Sequence, residues 1–259
     1  MEFLENNRSI MSKWNWVVLF IAAFSCNPSI PISLEFEMKE FQQKACKGLN
    51  CSEVNIKFPV FTQEIESSSI LNNLIEEKII KLIEVNEEIK SSNIEEAATN
   101  FLDSYIEFMD LFESNQEWEI KVAARVIFQN SQLMSIEFET YSFTGGAHPN
   151  NNRQYLNFDK IENQLLDNES LVLDKSDLLH LVESKFREIH EIEEGVSLKE
   201  TNMFFLEKDS IFFLPAAIGF EMDSVVFYYN PYEIGPYVIG GTEIKFPKEE
   251  LKGVLNFYR

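Results

Sequence analysis

Residues 118–140 read WEIKVAARVIFQNSQLMSIEFET, and their pattern sets the class of the chain. Trp118, Ile120, Val122, Ala124, Val126 and Phe128 fall at every second position, the period of a half-buried strand. Asn130 and Ser131 break the run as turn residues do. Leu133, Met134, Ile136, Phe138 and Thr140 continue on a return strand. After a loop holding Gly145 and Gly146, Tyr155, Asn157 and Phe158 mark a third strand, so the region reads as an antiparallel meander.

Upstream, the period changes. Ile70, Leu71, Leu74, Ile75, Ile79, Leu82 and Ile83 have helical spacing within 70–89, with Glu77 and Lys81 as a supporting pair and Ser67–Ser69 as a start signal. A second helix carries Ile94, Ala97, Ala98, Phe101, Leu102, Tyr105, Ile106, Met109 and Phe112 on one stripe, opened by an Asn93–Glu96 capping pattern. That stripe is a core face rather than a cofactor box. Asn55–Thr62 alternates as a strand, and 27–52 reads as a tether. Downstream, Lys175–Glu194 is helical. Strands are expected at Phe212–Phe220, Val225–Tyr229 and Thr242–Phe246, and Pro247 opens a short helix to Leu255. The order is α+β, two small subdomains with antiparallel sheets and flanking helices. The divisions are a signal peptide at 1–25, a tether at 26–52, an N-terminal domain at 53–162 and a C-terminal domain at 163–259.

The 259 residues are 45% hydrophobic and 25% charged, ordinary for a globular chain and too apolar for general disorder. Lys and Arg number 22 against 43 Asp and Glu, a formal charge of −21. Such a chain does not hold a phosphate backbone, which excludes nucleic acid, and an anionic bilayer repels it. A basic protein is steered toward it.

Trp14–Ser25 is nearly all apolar behind Lys13, shorter than the roughly 20 residues of a membrane span and suited to a secretory signal. Glu2 and Glu5 suit a signal poorly, and Met11 as the start gives a cleaner one. Ala22, Ala23, Phe24 and Ser25 before Cys26 look like a relaxed bacterial lipobox, with Phe24 a departure. An ordinary cleavage nearby and a buried core segment are the other readings. Lipid on Cys26 attaches the protein to a membrane without a spanning helix. Cys46 and Cys51 then form an even pair in an oxidising compartment, and Gly48 permits a tight loop for a disulfide. Free thiols or a metal are the alternatives, and no His or further Cys lies near for the metal.

Three motifs are candidates for chemistry. Thr144–Asn150 (TGGAHPN) offers two glycines and His148, without the helix and Lys-Ser/Thr of a phosphate loop. A structural turn is favoured there over catalysis. Phe227–Tyr237 (FYYNPYEIGPY) is a strand running into a Pro-bounded aromatic turn. It is either an aromatic corner or a contact surface carried by Tyr228, Tyr229, Asn230, Tyr232, Glu233 and Tyr237, with His148 beside them. His180, Glu183, Arg187 and His190 share a helical face that reads as solvated rather than metal-binding. No metal site, cofactor or catalytic residue is assigned.

TGGAH at 144–148, NFD at 157–159, YYNPYEIGPY at 228–237 and the closing strand and Pro turn at 243–255 resemble one known pairing of domains. It is the extracytoplasmic region of the RsiV-type anti-sigma factors, shared with the N-terminal region of the PdaC-type peptidoglycan deacetylases and grouped as domain of unknown function 3298. The resemblance covers residues 53–256. It implies a lysozyme-receptor module in the first case and a companion to a separate catalytic domain in the second. The metal-binding Asp and His motifs of the deacetylases are missing, so no deacetylase activity is expected. Only residues 1–13 precede the apolar run, so no cytoplasmic anti-sigma segment is expected. The expectation is a non-enzymatic, membrane-anchored lipoprotein of a bacterial cell envelope, periplasmic or on the outer surface. Its partner is C-type lysozyme, another basic protein, or peptidoglycan. Alternatives are an enzyme on peptidoglycan, with His148 and a carboxylate such as Asp159 as acid and base, and a structural envelope protein.

Overall fold

The protein, a computed structural model, is described over residues 33–84, 90–112, 115–193, 195–206 and 211–256. The leader at 1–25, Cys26 and the choice between Met1 and Met11 lie outside the described residues. Two sheets organise the chain, one of six strands in the order β1-β2-β3-β4-β5-β6 and one of three, β7-β8-β9. It is a mixed α+β protein of two subdomains.

Strands β1 (Phe36–Lys47) and β2 (Asn50–Phe61) form a hairpin in continuous register from Phe36↔Phe61 to Lys47↔Asn50. Gly48 turns it at φ 63°, a conformation that glycine reaches without the penalty of a Cβ. Cys46 and Cys51 face each other in that register and are joined by a disulfide. Most of the expected tether is therefore sheet. β1 lies at the edge of the sheet and turns only Phe41 and Ala45 toward the core, so its polar sequence carries little periodicity.

Helices α1 (Glu66–Ile83) and α2 (Ile94–Leu111) follow, then β3 (Glu119–Gln129). Asn93 caps α2, its Oδ1 accepting from Glu96 N at 2.9 Å. Glu96 reaches back one residue further, to Ser92 N at 2.7 Å. α1 has no side-chain cap, and Ser67 and Ser68 are buried in its first turn instead of opening it. The helix pair returns the chain to the same end of the sheet, so β2 and β3 run parallel. This is the one parallel pair in a sheet whose other neighbours are antiparallel, as expected.

Strands β4 (Leu133–Phe143), β5 (Asn150–Asp159) and β6 (Gln164–Leu166) complete the sheet antiparallel, with Asn130 Oδ1 accepting Gln132 N and Leu133 N in the tight turn. β6 carries the first sheet to Leu166, past the division expected at 162. Even-numbered residues of β3–β5, including Ile120, Val122, Ile136, Phe138 and Phe158, join the core beneath the helices. A bulge between Val126 and Phe128 reverses this alternation, so Phe128 joins the second core with Leu133.

The second subdomain holds α3 (Asn168–Leu171), α4 (Lys175–Ile189), β7 (Ala217–Phe220), β8 (Ser224–Tyr229) and β9 (Thr242–Pro247). Asp167 and Asp174 cap the helices. Phe186, Phe220, Phe227, Tyr229 and Ile244 are wholly buried in its core. Two expectations shrink. The strand at 212–220 is regular only from Ala217, and the closing helix is one 3-10 turn, Lys248–Leu251. No helix among the described residues is long and apolar enough to cross a membrane.

Candidate functional site

The two subdomains meet across the odd-numbered face of β4 and β5, which is polar. Ser135 Oγ donates to Asn157 Oδ1 at 2.8 Å and accepts from Phe220 N on β7 at 3.1 Å. Asn157 Nδ2 donates to Ile218 O at 2.8 Å. Asn157 of the NFD motif thus pairs one sheet to the other as a strand backbone would. Next along the face, Tyr155 lies flat on Gly219, where an added Cβ would stand 2.4 Å from the ring.

Beyond Tyr155, Arg153 gathers charge from both subdomains. Its guanidinium bonds Glu243 on β9, lies 3.4 Å from Glu139 and 3.6 Å from Glu137 on β4, and stacks on Tyr228 at 4.3 Å. These contacts hold its pKa far above the usual arginine value against the cost of burial. Glu137 also pairs with Arg125 at 2.5 Å and accepts from Tyr155 Oη at 3.2 Å. Burial, with the charge of Glu137, drives the Tyr155 phenol well above its ordinary pKa. Sequence reading missed this network. Its signal was the alternation of Glu137 and Glu139 with Ile136 and Phe138.

The two quoted motifs meet at the end of this face. Gly145 and Gly146 turn the loop at φ 96° and 103°, which delivers His148 beside the turn after β8. The His148 ring stacks on Tyr237 at 3.5 Å between centroids and 12° between planes. Nδ1 lies 3.0 Å from Pro149 O and Nε2 3.1 Å from Tyr232 Oη. In the neutral ring Nδ1–H donates to the carbonyl and Nε2 accepts the phenol proton. Tyr237 Oη donates to the same carbonyl at 3.2 Å.

The remaining members of the turn have internal partners. Asn230 accepts from Arg153 N at 2.6 Å and donates to Arg153 O at 3.0 Å. The Glu233 carboxylate accepts from Asn230 N and Ala216 N, each at 2.7 Å. Tyr228 is half-buried against Arg153. Tyr229 is wholly buried and donates to Phe213 O at 2.6 Å, which removes it from any contact surface. Burial raises its phenol pKa steeply. Of the seven residues predicted for binding, His148, Tyr232 and Tyr237 form an aromatic shelf, with Tyr232 exposed.

Asp159 does not join His148. It sits at the opposite end of β5, roughly 30 Å away at the rise of a strand. Its carboxylate accepts from Ile161 N and Glu162 N. The two cannot act on one bond. The α4 face is also corrected in part. Arg187 pairs with Glu183 at 2.7 Å, but His190 is half-buried between Phe186 and Phe204 and bonds Thr242 Oγ1 at 2.9 Å. No cluster of three His, Cys, Asp or Glu able to hold a metal occurs among the described residues.

A six-stranded mixed sheet with two helices, joined through a polar face to a smaller three-stranded subdomain, defines the class. Residues 45–151 match the family model described as Deacetylase PdaC, and 143–249 that of Protein of unknown function (DUF3298). The two matches stand in tandem along the chain, and the aromatic shelf lies within the second. Solved structures share the fold, among them two DUF3298 family proteins. A DUF3298 family protein from Pseudomonas aeruginosa PAO1 is 20% identical with a TM-score of 0.63, covering 89% of this chain and 97% of its own. A DUF3298 family member from Bacteroides fragilis NCTC 9343 is 19% identical with a TM-score of 0.63, covering 87% and 94%. No curated protein matches the chain.

Proposed function

We propose that this protein is a non-enzymatic, lipid-tethered binding module of a bacterial cell envelope, and that its aromatic shelf receives a basic protein, C-type lysozyme foremost. The observation that carries the reading is the shelf itself. The sequence places His148 and Tyr232 84 positions apart, and the fold brings them together with Tyr237, leaving Tyr232 exposed. Rigid aromatic groups of this kind anchor protein interfaces at low entropic cost. The −21 charge speeds encounter with a cationic partner. The resemblance to the RsiV-type receptors supplies the name of the partner. Supporting binding over catalysis, both nitrogens of His148 are engaged, one by the Pro149 carbonyl and one by the Tyr232 phenol.

The test is a double variant, Tyr232→Ala with Tyr237→Ala, titrated with lysozyme by calorimetry. A loss of tenfold or more in affinity, in a variant that still melts cooperatively, is the expected result. Unchanged affinity refutes the shelf. The tether is tested separately. Cys26→Ala shifts the protein from detergent to aqueous phase if Cys26 carries lipid, and leaves partitioning unaltered if it does not.

A further inference from the structure

The six-stranded sheet has one long free edge, on the far side from β5 and the shelf. β1 forms it, 12 residues in unbroken register with β2 and without proline. It lacks the shortness, bulges and prolines that guard sheet edges against pairing with another chain. Charge is the guard that remains, and its pattern selects what fits.

The hairpin decides which backbone groups the edge offers. The turn at Gly48 and Leu49 closes on Lys47↔Asn50, the kind of pair that exchanges both hydrogen bonds. Pair types alternate from there. Cys46 and Cys51 fall in the closer type that exchanges none, and their Cα atoms are 4.0 Å apart. Odd-numbered residues of β1 therefore bond β2. Phe36, Met38, Glu40, Gln42, Lys44 and Cys46 direct their N–H and C=O groups outward, where no strand pairs with them among the described residues.

β1 carries Lys39, Lys44 and Lys47 against Glu37 and Glu40, a surplus of base in a chain whose acids outnumber its bases 43 to 22. Lys47 and Glu40 have ion pairs with Asp110 and Lys57, whereas Glu37, Lys39 and Lys44 have none among the described residues. A second β1 laid antiparallel along this edge must match outward residues with outward residues. With the two-fold axis through Gln42, Glu37 faces Lys47 of the partner subunit and Glu40 faces Lys44 of the partner subunit, each pair occurring twice. Exposed Phe36 then lies opposite Gly48 of the partner subunit, next to the wholly exposed leucine of that turn. Moving the axis to Phe41 removes both charge pairs. Moving it to Gln43 sets Lys39 against Lys47, and moving it to Glu40 sets that carboxylate against its own copy.

We infer that β1 pairs with β1 of a second copy of this chain, antiparallel about Gln42, so that the two large sheets become one. The outward groups supply about ten backbone hydrogen bonds in that register. The −21 charges of the two copies repel, but salt screens that field beyond about 8 Å at physiological ionic strength, while facing Glu and Lys side chains act at contact.

Zero-length carbodiimide coupling of the full chain in detergent, at physiological salt, reads the register directly. Glu37 and Lys47 lie about 33 Å apart along one strand, so a link between them forms only between copies. The expected products are Glu37–Lys47 and Glu40–Lys44 links in a dimer, with sedimentation showing a dimer that grows with concentration. Gln42→Pro removes an outward N–H and no bond to β2, so it folds and weakens the dimer by about tenfold or more. Glu37→Lys and Lys47→Glu chains each self-associate more weakly than the parent, because like charges then face each other. Mixing the two restores the dimer, since opposite charges face again. If the variants fail to fold, the links in the parent carry the test. A parent that stays monomeric up to roughly 100 μM, a dimer without the Glu37–Lys47 link, or a folded Gln42→Pro that dimerises as the parent does overturns the inference. Tyr232→Ala with Tyr237→Ala dimerises like the parent, which keeps this edge distinct from the shelf.

Discussion

Tyr232 lies in the left-handed region at φ 69°, a conformation that costs a residue with a Cβ roughly 1–2 kcal/mol. The turn holds it there through the Glu233 carboxylate on Asn230 N and the phenol on His148. Strain kept at an exposed aromatic residue marks a position where the side chain matters more than the backbone fit. Tyr232→Gly is therefore more stable than Tyr232→Ala by about 1 kcal/mol in urea denaturation, because both lose the ring but only glycine relieves the backbone. Equal stabilities contradict the strain. His190 makes the other prediction at this scale. Burial between Phe186 and Phe204 lowers its pKa below the ordinary 6.5, so the folded state takes up a proton later than the unfolded one as pH falls. Stability contributed by neutral His190 is complete above pH 6.5 and is lost as pH falls through the folded pKa. Thermal melts from pH 7.5 to 5.5 show a smaller decline in His190→Gln than in the parent, and parallel declines refute it. Both aromatic motifs were legible in the sequence. Their meeting was not, because nothing local encodes a contact across 84 positions.

The element that fixes the relation of the subdomains is β7 on the odd face of β4 and β5. Leu133–Phe138 is buried at six consecutive positions, so β4 is covered on both sides. The sequence shows only the apolar alternation, since Ser135 and Glu137 read as solvent-facing when they in fact face β7 and the Arg153 network. The same limit hid β1, whose single inward row leaves a polar edge strand. The parallel β2–β3 pair was concealed differently, because strand direction follows from how the intervening helices return and not from strand residues. Gly219 tests the packing of this element. Alanine there drives a methyl into the Tyr155 ring and costs about 1–3 kcal/mol by chemical denaturation. Adding Tyr155→Ala recovers part of the loss. A neutral Gly219→Ala, or a double variant no better than the sum of the singles, shows that the ring does not press on β7.

At the scale of the whole molecule, two hydrophobic cores are held together by a polar seam, and the shelf sits where that seam reaches the surface. Asn157, Arg153 and Asn230 each bond across it, so the position of His148 against Tyr232 and Tyr237 depends on both subdomains being in register. The α+β class, the helices and most strands were readable from periodicity, and the domain pair from its motifs. The seam was not, because buried polar residues on strands imitate exposed ones. The net charge of −21 makes one ambiguity physical: any protein this acidic attracts lysozyme at low salt. Screening over about 8 Å at physiological ionic strength removes such attraction while leaving a packed aromatic interface largely intact. The most direct measurement is calorimetric titration of the chain from Asn27 with C-type lysozyme at low and at physiological salt. The account predicts saturable binding that persists at physiological salt and is abolished by Tyr232→Ala with Tyr237→Ala. Binding that disappears with salt, or that ignores the two tyrosines, contradicts it.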